Sequence, residues 1–264
     1  MTRIVLALVA AVAVACGGSS KGPTTPAAGS GTKPAVSGYN TAEQVIEASI
    51  AAQGGRDRLG KLTGVKQTGK ITIAQMGVTG TMTAYAAPPA NALLVVDLPG
   101  LGKIQQGAKD GIVWETNPVT GARIVTGPER NTLLREAEFN GDLKWKQLYP
   151  KAELGGVVDW QGTPAYKVVL TSADGDVVTK YYAKDTLLPV GHEAVVKTKM
   201  GSLPSSSFES DYRDVQGIKI AHKSMHKDAT ASFEITVESV ELSPQLAPST
   251  FDLPPEVMAL QKKG

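Results

Sequence analysis

From Val65 to Leu242 apolar and polar residues alternate for long stretches, the period of a strand with one face buried. Ile71 and Ile73 alternate with Lys70, Thr72 and Ala74. GVTG at 77–80 turns the chain into TMTAY. NALLVVDL, KIQQGAK, GIVWET and ARIVTG follow, parted by Gly, Pro and Asn. Pro128 breaks the pattern, and PERNTLLREAEF reads as a helix with Pro128 in its first turn and Leu133, Leu134 and Ala137 on one face. NGDLKWKQLYP reads as a loop or irregular turn. Alternation then resumes through KAELGGVVDW, PAYKVVLTS, DVVTKYYAK, LPVGHEAVVKT, SSFESDYRDV, IKIAHKSMHK and ASFEITVESVEL, with a tight hairpin at Ala173–Asp176. Ahead of the strands, AEQVIEASIAAQ is an amphipathic helix capped by Asn40 or Thr41. It places Val45, Ile46, Ser49 and Ile50 on one face and stops at Gly54-Gly55. RDRLGKL adds a short second turn of helix. The pattern predicts a mainly β domain: one large, curved antiparallel sheet of about eleven strands with two covering helices.

A sheet of that size has a concave face that must be covered. Two helices of about twelve residues are each only about 18 Å long, and aromatic residues make up 5% of the chain, so space-filling side chains are scarce. An apolar cavity is therefore expected. Period-two alternation nominates Ile71, Ile73, Met82, Leu94, Val96, Ile104, Val113, Val168, Leu170 and Tyr181 as its lining. A register shift of one residue would invert each assignment.

The ends of the chain change the picture. Met1-Thr2-Arg3 is a short basic start, and Ile4–Ala15 is an unbroken apolar run, too short for the roughly 20 residues a spanning helix needs. Residues 1–15 fit a secretory signal. Ala13-Val14-Ala15-Cys16 resembles a bacterial lipobox, which implies that Cys16, the single cysteine, becomes a diacylated N-terminus. The alternative is an ordinary signal with a chance cysteine. Residues 17–39 are rich in Gly, Ser, Thr and Pro and form a flexible tether with Cys16 at its head (16–39). The folded domain then spans 40–264. With Cys16 used as an anchor, the domain has no thiol for disulfides or metal sites. The formal charge of +2 implies no nucleic-acid partner.

Candidate chemistry is sparse. His222 and His226 share a strand face about 13 Å apart, too far for one ion, and read as exposed strand histidines. Ser205, Ser206 and Ser207 with Asp211 and His192 supply the residue types of a hydrolase triad, but no G-x-S-x-G surrounds them. Gly100-Leu101-Gly102-Lys103 lacks the first glycine and the Ser/Thr of a phosphate-binding loop. Glu209, Asp211 and Asp214 lack Ca²⁺-loop spacing and read as a solvated strand end. Trp114, Trp145, Trp160, Tyr149, Tyr166, Tyr181 and Tyr182 suit a pocket and a core equally. Neither a catalytic set, a metal site nor a cofactor is expected.

Several stretches carry a family resemblance. QGGRDRLGKLTGVKQTGKI, GDLKWKQLYPKAELGG, GTPAYKVVLTSADGDVVTKYYAKDTLLPV, SDYRDVQGIKIAH and the terminal FDLP resemble LolA/LolB-like outer-membrane lipoprotein-sorting proteins over about 40–258. Ala221 departs from the proline many relatives place there. The resemblance implies a half-open β-barrel wrapped around helices, with an apolar cavity for acyl chains. It implies a non-enzymatic envelope lipoprotein, membrane-bound through its N-terminal lipid, that takes an acyl chain, phospholipid or lipoprotein as ligand. Gly17 in place of Asp after the cysteine implies the outer membrane, facing the periplasm. The alternative is a structural or interaction module of the envelope whose core is filled; the sequence does not identify a protein partner.

Overall fold

The computed structural model describes residues 38–198, 201–228 and 231–262. Cys16, the expected signal segment 1–15 and the expected tether up to residue 37 lie outside the described residues. Helix α1 (Ala42–Ala52) opens on a capping box in which Thr41 Oγ1 accepts from the Gln44 amide at 3.2 Å and Gln44 Oε1 accepts from the Thr41 amide at 3.2 Å. Gly54 ends it with φ +131°, where a Cβ would stand 2.8 Å from the Gly217 carbonyl oxygen, so only glycine fits. Helix α2 (Arg56–Gly60) follows.

The sheet then begins with β1 (Val65–Ile73), β2 (Val78–Ala87), β3 (Asn91–Leu98), β4 (Gly102–Lys109), β5 (Ile112–Asn117) and β6 (Gly121–Val125). Helix α3 (Gly127–Ala137) and the short α4 (Trp145–Leu148) interrupt it. It resumes with β7 (Lys151–Trp160), β8 (Thr163–Thr171), β9 (Val177–Ala183), β10 (Pro189–Thr198), β11 (Gly201–Val215), β12 (Ile218–Asp228) and β13 (Ser232–Leu242), and α5 (Pro255–Gln261) closes the described chain. All thirteen alternating runs form strands, two more than the expected count of about eleven.

The strand order is β6-β5-β4-β3-β2-β1-β13-β12-β11-β10-β9-β8-β7. Two sequential meanders, β1–β6 and β7–β13, meet at one seam, where Ile71 pairs with Ile235 and Ile73 with Phe233. Strands β4 and β10 are seven steps apart in this order, about 34 Å if the sheet were flat. Helix α3, about 16 Å long, nevertheless packs against β4, β5 and β10. The sheet therefore curls around α3 as a half-open barrel. β13 bulges at Glu238, opposite Thr68 and Gly69, and β7 bulges between Leu154 and Val157, where strands bend most readily.

The concave side holds two apolar clusters. One joins β1–β6 and β13 to Leu133, Ala137 and Phe139 of α3 and its end. The other joins β8, β9 and β12 to α1, α2 and α4. On the convex side Trp114 lies over Gly107, whose place no larger residue can take because a Cβ would run into the indole ring. The C-terminal segment packs over this part of the sheet, with Phe251 and Val257 buried and Asp252 bound to Lys109 at 2.6 Å.

Candidate functional site: the concave face and its strap

Nine of the ten nominated lining residues share the concave side. Ile71, Ile73, Met82, Leu94, Val96 and Val113 belong to the cluster under α3, and Ile104 packs on it half-buried. Val168 and Leu170 belong to the cluster under α1. Tyr181 does not join them. Val168 pairs with Lys180 and Tyr166 with Tyr182, so Tyr181 faces the opposite, convex side. There its ring stacks on Trp160 at 3.7 Å, with Phe208 beyond, and its hydroxyl donates to Glu193 at 2.7 Å.

A side chain lining an open void keeps surface that water can touch. Val96, Val113, Val168 and Leu170 are each 0% exposed, so in this state they pack against other atoms.

Helix α3 is a strap between the two rims. At one rim Arg130 Nε donates to the Gly111 carbonyl at 2.9 Å, and Arg123 reaches Glu129 Oε1 at 2.6 Å and Glu115 at 2.7 Å. At the other rim Arg135 holds Asp174 at 2.8 Å and also Asp176, while Thr132 Oγ1 donates to Asp176 at 3.1 Å. The Ser172 hydroxyl and Arg135 hold the Asp174 carboxyl at about 2. The chain after α3 is tied to the N-terminal helices: Asn140 Nδ2 donates to the Leu59 carbonyl at 2.7 Å, and Trp145 Nε1 to Glu47 at 3.0 Å. Glu47 also pairs with Arg56, which lowers its carboxyl pKa. Tyr39, read from sequence as tether, sets its ring edge on Tyr166 at 5.5 Å.

Between the strap and β9–β11 lies a cleft of about 100 Å³, walled by Arg135, Glu138, Asp142, Lys180, His192, Ser207 and Glu209 among others. Its lining mixes these charged and polar groups with Leu148, Tyr149, Val177, Val178, Ala194 and Val195, so strict apolar alternation does not mark it in the sequence. Lys180 binds Asp142 at 2.6 Å with both side chains largely buried.

The two histidines of β12 differ from expectation: both are buried, because the curled sheet turns their face inward. His226 stacks on Phe233 at 4.9 Å and lies 3.4 Å from Asp228 Oδ2. Burial pushes its pKa down, partly opposed by Asp228. His222 Nδ1 lies 3.0 Å from the Ile220 carbonyl. Among the described residues, no group of three or more His, Cys, Asp and Glu side chains converges as a metal site would require. Ser207 and His192 oppose each other across β10 and β11, but Asp211 is held by Arg213 at 2.6 Å, four residues along the strand. No described helix is long and apolar enough to cross a membrane.

A curled antiparallel sheet, open at both edges and strapped across its concave side by a helix, defines a half-barrel fold. No family model and no curated protein matches the chain, but solved structures do. A DUF1329 family protein from Desulfovibrio piger is similar at TM-score 0.57 and 15% identity, over 80% of this chain and 97% of that one. A LolA superfamily protein from Nitrosomonas europaea is similar at 0.53 and 14%, over 81% and 99%. A domain described as an outer-membrane lipoprotein-sorting protein, from Vibrio parahaemolyticus, is similar at 0.55 and 14%, over 80% and 97%. The fold is LolA-like.

Proposed function

We propose that this chain is a non-enzymatic protein of the bacterial envelope that binds an acyl chain of a lipid or lipoprotein on the concave side of its sheet. The strap carries the reading. The apolar cluster of β1–β6 and β13 is covered by a helix that packs Leu133 and Ala137 onto it and is fixed at both rims by ion pairs and hydrogen bonds, so lifting that helix would open the cluster to an acyl chain. The likeness to a lipoprotein-sorting domain supports it. A lipidated Cys16 followed by the tether 17–39 would hold the domain at the outer membrane, facing the periplasm. Burying a chain of about 16 carbons is worth on the order of 10 kcal/mol before ordering costs, enough to offset lifting a helix.

A second reading has its own observation: the fully buried Val96, Val113, Val168 and Leu170 suit an envelope interaction module with a permanently filled core. Titrating a fluorescent fatty acid into delipidated full-length protein separates the two. Saturable one-to-one binding is expected, and no binding leaves the filled-core reading standing. Cys16→Ala should abolish membrane attachment and the acyl mass; unchanged attachment and mass would remove the anchor.

A further inference from the structure

We propose that the convex face of β9–β12 is the contact surface of a reversible two-fold dimer of this chain. Two regions of the convex side differ in what covers them. Over β3–β6 the C-terminal segment buries Phe251 and Val257. Over β9–β12 three large apolar side chains stand in solvent: Val177 at 48% exposure, Val195 at 49% and Met225 at 43%. Strand pairing puts them on one face with Tyr181. Tyr181 lies opposite Gly191, Gly191 opposite Phe208 and Phe208 opposite Met225. Two residues along, Thr179, Glu193, Ser206 and Lys227 form the next row. Val177 and Val195 are two residues further again, on the same face. Exposed apolar residues gathered in this way mark an interaction surface.

A second copy of the chain fits this surface by charge. A two-fold axis running along β11 sets β10 of one protomer over β12 of the other, and β11 over β11. Glu193, exposed on β10, then faces Lys227, exposed on β12 of the second copy, and the same pair recurs across the axis. Ser206 faces its own counterpart. A trough of about 500 Å³ runs over Thr179, Glu193, Ser206 and Lys227, between Phe208 and Val195, and gives both ion pairs room between the sheets. In the adjoining row Met225 meets the position of Gly191, which has no side chain and carries the Trp160 indole over it. A thioether against an indole is a favourable contact.

Size and symmetry agree. Three rows on four strands cover about 400 Å² per copy, at spacings of about 6.8 and 4.8 Å. That is the small end of specific interfaces, so the dimer is weak and reversible. Both concave sides face outward. An axis parallel to the strands also keeps the two Tyr39 residues, at the start of the described chain, at one level, so that one membrane can hold both of the anchors proposed above.

The test follows the full chain in detergent by sedimentation equilibrium across the micromolar range. The weight-average mass should climb toward that of two chains. Glu193→Lys and Lys227→Glu should each weaken the dimer about ten-fold, and the double reversal should restore it; the melting temperature of each variant reports whether it folds. Opposed Ser206 residues stand about 10 Å apart, the spacing of packed sheets, so Ser206→Cys should join two chains through a short bis-maleimide. Val119→Cys, at a position 71% exposed on the β5–β6 turn, should not; the wild-type chain, which holds only Cys16, is the blank. A mass that stays monomeric at every concentration overturns the dimer. A dimer that ignores both charge reversals, or that crosslinks no better at Ser206→Cys than at Val119→Cys, overturns this face. Acyl-chain binding is measured separately on the concave side, and neither result alters it.

Discussion

Removing Arg135 tests the strap most directly. Its guanidinium is 14% exposed and Asp176 8% exposed, so Arg135→Ala takes a cation from a buried carboxylate that keeps the Thr132 hydroxyl. Breaking a buried pair by deleting one partner costs about 3–5 kcal/mol. Asp174 is 38% exposed, so its share is screened and adds at most about 1 kcal/mol. For a domain of this length each kcal/mol moves Tm by about 2–4 °C, giving a fall of about 6–20 °C. Urea unfolding followed by far-UV circular dichroism measures the loss. The double variant Arg135→Leu with Asp176→Leu replaces the pair with apolar contact and should recover most of it. If the strap is the gate, Arg135→Ala should also speed uptake of the fluorescent fatty acid. A loss below about 1 kcal/mol, or an undiminished Arg135 effect in the Asp176→Leu background, would refute the argument that this pair fastens the helix.

Leu170 is fully buried, so Leu170→Trp should destabilise by about 1–3 kcal/mol through overpacking; an unchanged midpoint would mean the site opens onto a void. His226 has a lowered folded pKa because it is buried, so the unfolded chain binds the proton more readily. Stability should therefore fall as pH drops below the unfolded value of about 6.5, and His226→Asn should flatten that decline between pH 7 and 5. The Asp174 carboxyl, held at about 2, works in the same direction at lower pH. Its contribution is full above the usual carboxylate value near 3.9 and vanishes as pH falls through about 2, so the Asp174→Asn difference should disappear in strong acid.

Much of this architecture was legible because one-sided burial writes itself into sequence with a period of two. Ile71, Ile73, Met82, Leu94 and Val96 fall on one side as alternation demands. Tyr181 failed because it precedes Tyr182: two large apolar rings in succession leave the alternation without a phase, and pairing with Lys167 sets the face instead. The burial of His222 and His226 follows from the curl of the whole sheet, which no local pattern encodes. The strap was hidden for a related reason. Arg130 and Arg135 look like the solvated charges of any surface helix, and the partners of Arg135 lie 39 and 41 residues onward. The hairpin containing Asp174 and Asp176 was read correctly as a turn, but nothing in ADGD says that a helix docks on it. The glycine pair at 54–55, prominent as a motif, has a packing role: Gly54 lets α1 sit against the turn before β12.

The seam between β1 and β13 has a kinetic consequence. Every other neighbouring pair in the sheet is consecutive in the chain or nearly so, and forms by closing a short turn. The seam joins residues such as Ile71 and Ile235, more than 160 positions apart. Closing such a loop is about 2.5 kcal/mol less favourable in chain entropy than closing a ten-residue hairpin. Each meander can zip along its own length, but neither acquires the curl that gives α3 both its rims until the seam has formed. The last long-range contact to be made is thus the one that creates a concave side, and a chain stalled before it would present two open sheets with four free edges instead of one half-barrel with two.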